Sequence, residues 1–116
     1  MAITKNENQL VHCAHCNSAR LHQRTVDIYN RVEGDRAGYR TTVDFDRVNT
    51  VNSQAGNPSP RRQGLVIALI CEDCSQVSVM TVAQQKGCTF LNVDKAPEQY
   101  RHLSDSQMLD YPLERT

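Results

Sequence analysis

The chain has 116 residues, 13 basic and 13 acidic side chains, five cysteines, no tryptophan and 39% hydrophobic residues. That length makes one domain and excludes two large lobes with an active-site cleft between them. The balanced charge lacks the basic excess of a sequence-independent nucleic-acid binder, and the longest apolar run, Leu65 to Cys71, is about a third of a membrane span.

Residues 1–9 form a polar lead with no apolar stretch of the secretory kind, so a cytoplasmic location is expected. In that reducing compartment five cysteines read as thiolates rather than as a disulfide framework. Mean hydropathy is −0.57, and so small and polar a chain buries a modest core and needs a further staple. Residues 10–94 are expected to form the domain and 95–116 a C-terminal tail.

After the segment Val11-His-Cys-Ala-His-Cys-Asn-Ser18, a β-like stretch runs from Leu21 to Val32. It places Val26 and Ile28 on one face and Thr25, Asp27 and Tyr29 on the other. Glycines mark Glu33 to Gly38 as a turn. A second alternating run sets Tyr39, Thr41, Val43 and Phe45 against Arg40, Thr42, Asp44 and Asp46. The two runs read as a β-hairpin with arms of about ten residues.

Asn52 to Gly64 has no large apolar residue but carries glycine and proline, which predicts a mobile loop. Residues 31–64 are therefore expected to be a hairpin and loop inserted into the domain. Leu65 to Ile70 has no polar face and suits a central strand buried on both sides. Val77 to Val82 resumes as a strand, Gln84 to Gly87 turns the chain, and Cys88 to Val93 is a further strand. Beyond Pro97, Tyr100, Leu103 and Met108 stand at loose helical spacing, which predicts a short helix ended by Tyr111-Pro112. The fold class is thus mainly β, a small antiparallel sheet.

The pairs Cys13-x-x-Cys16 and Cys71-x-x-Cys74 carry the chemistry. Two cysteines three positions apart in a tight turn aim both sulfurs at one point, and turn amides donate to them. Four thiolates suit tetrahedral zinc at about 2.3 Å per bond. A closed four-thiolate shell keeps no position for water or substrate, so the site is structural rather than hydrolytic. The 54 residues from Asn17 to Ile70 exceed the usual linker, but each doubling of a loop adds only about 0.6 kcal/mol of closure entropy.

The layout, one knuckle feeding a strand and one joining two antiparallel strands, resembles the four-cysteine zinc β-ribbon group. Asn17 and Ser75 stand where a glycine often follows the knuckle in that group. The resemblance implies a non-catalytic interaction module and raises the expectation of a protein or nucleic-acid partner. Outside the cysteines, Tyr111-Pro112 also resembles the zinc-binding leader of uncharacterised proteins linked to restriction and phage defence. That likeness implies a small accessory protein of a phage or mobile element.

Between Arg31 and Arg62 six arginines face four acids. Arg36, Arg40, Arg47, Arg61 and Arg62 are the candidate contacts to phosphate or to an acidic protein surface. Cys88, on an apolar run, reads as a small buried core residue. His12 and His15 flank the first knuckle as neighbours of the site rather than ligands, and His22 and His102 have no visible partner. No phosphate loop, nucleophile elbow or His-Glu-x-x-His pattern occurs, which argues against an enzyme. The alternative is a thiol-disulfide oxidoreductase using one Cys-x-x-Cys pair, although neither pair opens a helical pattern. Neither a membrane nor a small-molecule substrate is indicated.

Overall fold

A computed structural model describes residues 10–31 and 37–100. Within them run six strands: β1 (Leu21–Asn30), β2 (Tyr39–Asp44), β3 (Arg47–Val51), β4 (Gly64–Cys71), β5 (Val77–Gln85) and β6 (Cys88–Lys95). All pair antiparallel in one sheet of order β3-β2-β1-β4-β5-β6. The mainly β expectation holds. Of the expected tail helix, only Glu98–Tyr100 falls in the described chain, as a single 3-10 turn. The rest of it, and Tyr111-Pro112, lie outside the described residues.

The hairpin of β1 and β2 is present, with Val26 opposite Val43 and Tyr29 opposite Arg40. β1 also joins this hairpin to the rest of the sheet. Its other edge pairs with β4, Val26 facing Ile67 and Leu21 facing Cys71, with a β-bulge between Gln23 and Val26. The second arm is also shorter than expected. Phe45 takes φ of 58° and starts a two-residue turn, and the chain returns as β3, a strand absent from the sequence reading. The guanidinium of Arg24 lies 3.9 Å over the Phe45 ring and 3.0 Å from Asp44. The pair with Asp44 is an ion pair outside hydrogen-bond alignment.

The two faces of the sheet differ. On the first, Tyr29, Val66, Ala68, Ile70, Val77 and Val79 form the buried cluster together with Ala96. Burying an aliphatic side chain such as Ile70 stabilises by about 1.5–3 kcal/mol. Thr25 and Asp27 share this face and are also buried, so the strand turns its more polar side inward. Asp27 is satisfied there by hydroxyls: Thr42 Oγ1 and Tyr100 OH each donate to it at 2.5 Å. The Tyr29 phenol donates to the carbonyl of Ala55 at 2.9 Å.

The cover of this face is the segment 52–63, read from sequence as a mobile loop. It is packed and bonded instead. Ser59 is buried, and its hydroxyl donates to the Gln84 carbonyl at 2.6 Å. Arg31 Nη2 donates to the Ser59 carbonyl at 2.8 Å. The loop lies so close to β4 that a Cβ at Gly64 would strike Asn57 and Pro58. The second face carries Leu65 and Ile67 of β4, both only half-buried. The central strand is therefore sealed on both sides only at its knuckle end, where Leu69, Ile70 and Cys71 are all buried.

Cys88 is exposed rather than buried. It opens the edge strand β6, directly after the turn at Lys86 and Gly87, whose φ values of 51° and 79° reverse the chain tightly.

Candidate metal centre

The first knuckle, residues 13–18, precedes β1, and the second, residues 71–76, joins β4 to β5. Their backbones repeat each other. The Cys13 amide donates to the Ser18 carbonyl at 2.7 Å, and the Asn17 amide returns to the Cys13 carbonyl at 2.9 Å. In the second knuckle the Cys71 amide donates to the Gln76 carbonyl at 2.9 Å, and the Ser75 amide to the Cys71 carbonyl at 3.0 Å. Both turns close through a left-handed residue, Asn17 at φ 68° and Ser75 at φ 63°. These are the two positions at which the sequence departs from glycine, and both meet the turn's demand.

Four sulfurs converge. The Sγ atoms of Cys13, Cys16, Cys71 and Cys74 all lie within 4.8 Å of one another. The close approaches cross between knuckles: Cys13 to Cys74 is 3.7 Å and Cys16 to Cys71 is 3.5 Å. Tetrahedral bonds of about 2.3 Å place ligand sulfurs about 3.8 Å apart. Disulfide sulfurs sit at about 2.05 Å, and none of the four is so paired. The donor set and its spacing fit a tetrahedral metal ion. Cys13 and Cys71 are buried and Cys16 is exposed, so the site lies at one end of the sheet with one sulfur toward solvent.

Donors around the sulfurs divide the four thiols. The His15 amide donates to Cys13 Sγ at 3.3 Å, and the Ser78 hydroxyl approaches it at 3.8 Å. Burial opposes ionisation of Cys13, but the donors from the Cys16 and His15 amides and from Ser78 outweigh it and bring its pKa down to about 6. Burial leads the opposite shift at Cys74, pushed up to about 12, with the other three thiols adding to it. Four thiolates in one small volume repel one another, and a bound cation removes that repulsion.

The surroundings hold the second knuckle to the chain that follows the first. The Ser18 hydroxyl donates to Asp73 Oδ2 at 2.5 Å, and Arg20 Nη2 donates to Asp73 Oδ1 at 2.6 Å. Those donors, Arg20 first, hold the Asp73 carboxyl below its usual range. The Glu72 amide donates to the Arg20 carbonyl at 2.9 Å. His15 Nε2 meets the Val77 carbonyl at 2.9 Å, and His12 Nδ1 meets the Asn17 carbonyl at 3.0 Å. Both histidines thus brace the first knuckle through backbone oxygens. His22, for which the sequence suggested no partner, meets Glu72 Oε1 at 2.8 Å. Ser18, Arg20, Asp73 and Ser78 were missed by sequence reasoning. Asp73, set between the two cysteines of its pair, was the one visible signal.

The candidate arginines are dispersed. Arg40 is half-buried beside Tyr29 and Tyr100, whose phenols burial pushes above their ordinary value while the Arg40 charge opposes that shift. Arg47 is exposed on the edge strand β3, opposite Asp44. Arg61 is exposed in the covering loop and Arg62 half-buried beside it, its carbonyl bonded by Arg31 and Asn57. Arg36 lies outside the described residues. No helix of the described chain is long and apolar enough to cross a membrane. No protein-family model, curated protein or solved structure matches the chain.

Proposed function

We propose that the protein is a non-catalytic zinc module of the four-cysteine ribbon type, in which one zinc ion pins two knuckles and so stiffens a sheet that presents a binding surface. The convergence of four sulfurs from residues more than fifty positions apart carries this reading. An all-sulfur tetrahedral set suits zinc or iron, and only zinc is without redox chemistry. Four protein ligands leave no position for a reacting water, which favours a structural role.

Elemental analysis of the purified full-length protein should find one zinc per chain. Cys13→Ser and Cys71→Ser should each lose it. Iron in place of zinc would overturn the assignment, and so would a folded, metal-free protein that reduces disulfides.

The partner in this reading is anionic, a nucleic acid or an acidic protein surface, met by the exposed Arg47 and Arg61. Binding of labelled duplex DNA, RNA and polyglutamate, each measured across a salt series, tests it. Reversal of both arginines to glutamate should weaken binding and flatten the log–log salt dependence by about one unit for each lost phosphate contact. Unchanged binding would reject these arginines as contacts and leave the zinc assignment standing.

A further inference from the structure

The second face of the sheet has an organisation that metal binding does not explain. One straight row crosses all six strands: Val48, Val43, Val26, Ile67, Met80 and Val93 stand opposite one another in register. Every position in it is aliphatic. The adjoining row continues with Ile28, Leu65, Val82 and Leu91. A solvated face of an antiparallel sheet is ordinarily polar, and an apolar one needs a second layer. Among the described residues this face is covered only at its metal end, where the Ala14 amide donates to the buried Ser78. Away from that end Ile28 is 41% exposed and Val48 68%.

We propose that this face is a homodimer interface, and that two copies of the chain pack sheet against sheet across the aliphatic rows. Three observations favour a second copy over other occupants. Lys95, at the metal end, is the one charged residue among the strand positions on this face. The surface thus offers nothing to an acidic or basic partner, yet it is complementary to itself. A two-fold interface needs that property, because each patch meets its own copy. Residues 101–116 leave the described chain from the opposite face, where the Tyr100 hydroxyl is tied to Asp27, so this segment would have to round the sheet to reach the rows. The extent also suffices. Six strands at about 4.8 Å spacing and about 20 Å of strand length give a footprint of about 500 Å². The relief of the side chains raises it toward the roughly 600–800 Å² per partner of a stable complex. The result is a four-layer particle, with each covering loop outermost and the two aliphatic faces about 10 Å apart at its centre.

Sedimentation equilibrium of the full-length, metal-loaded protein tests this from low to high micromolar concentration. The expected mass is twice the 13.1 kDa of one chain. The double variant Ile28→Glu, Val48→Glu should sediment as a monomer at concentrations where the parent is a dimer, while keeping its metal. Both side chains are already exposed in the single chain, so its fold does not depend on them. A second measurement needs no variant: isotope-filtered NMR on an equal mixture of labelled and unlabelled chains. The Ile67 and Met80 methyl groups should receive contacts from the other chain. A monomeric parent at all concentrations would overturn the proposal, whether the face then proves open, covered by residues 101–116 or taken by a foreign protein. A dimer that persists in the glutamate variant, or whose cross-chain contacts lie at the edge strands β3 or β6, would overturn it as well. Metal content is verified in every sample, so a failure here is distinct from a failure of the zinc assignment.

Discussion

Asn17 and Ser75 do the same work with different aptitude. Each holds a left-handed backbone, at φ 68° and 63°, which turns the next residue's carbonyl back to the amide of the knuckle's first cysteine. Asparagine tolerates that conformation, whereas serine bears the full clash of its Cβ. Glycine at either position removes the clash but also gives the unfolded chain more freedom. Ser75→Gly should therefore raise the stability of the metal-loaded protein by up to about 1 kcal/mol, while Asn17→Gly should be close to neutral. Thermal melts of the two variants beside the parent check this, and equal shifts would show that the left-handed turn is not under strain at Ser75. At this scale the site was legible. Cysteine spacing alone indicated the four sulfurs that converge, because sulfur chemistry restricts the possible spacings. Arg20 and Ser78 were not legible, because their value depends on which strand lies beside them, and a single chain of letters does not record that.

Among the elements, apolar patterning, alternating in β1 and β2 and unbroken in β4, located five strands and missed β3. Arg47-Val-Asn-Thr-Val51 is short, lies at the sheet edge and is mostly exposed, so no buried face imposes a pattern on it. Its turn gave no signal either, since Phe45 occupies a left-handed position that the sequence would assign to glycine or asparagine. β1 shows the opposite limit. Its alternation was legible, but not that Thr25, Asp27 and Tyr29 form the inward side. That choice is set by Thr42 on the neighbouring strand and by Tyr100, more than seventy residues away. Tyr100 consequently links the 3-10 turn to the centre of the sheet. Tyr100→Phe removes one of the two hydroxyls that satisfy buried Asp27 and should cost about 1–3 kcal/mol. The effect has a pH signature. Burial, followed by the bond to Asp27, raises the Tyr100 phenol above its ordinary value of 10.0. A group whose pKa is raised on folding adds stability that is complete below the unfolded pKa and declines as pH rises beyond it. Urea unfolding from pH 8 to 11 should therefore show a constant gap between parent and variant up to about pH 10, narrowing above it. A gap that widens with pH would mean that the phenol is not the donor.

Taken as a whole, the molecule has a small core on one face of a single sheet, and the four converging sulfurs stand where that core ends, positioned for a metal ion to close the chain. Ile70 and Val77, at the knuckle end of β4 and β5, are the last buried apolar pair before the cysteines. Beyond them, among the described residues, the first knuckle is held to the sheet by its contacts with the second and by the bonds of Ser18, Arg20 and His22 to Glu72 and Asp73. An ion joining Cys16 to Cys71 encloses residues 17–70, and a cross-link around a loop of that length stabilises by about 4 kcal/mol through the unfolded chain's lost freedom. Domains of this size have net stabilities of about 5–15 kcal/mol, so such an ion would supply a large share of the total. Its removal also leaves four thiols between 3.5 and 4.8 Å apart with no cation to reconcile them. Chelation at neutral pH under reducing conditions should therefore lower the melting temperature by about 15–30 °C, and stoichiometric zinc should restore it. Amide exchange followed by NMR should show Leu21, Cys71 and Val77 losing protection before Tyr29 and Val66, because the covering loop and the Tyr29 bond to Ala55 hold the other end of the sheet. If the melting temperature is unchanged after the metal is shown to be gone, the sheet is held by its core alone, and the convergence of the four sulfurs is no staple.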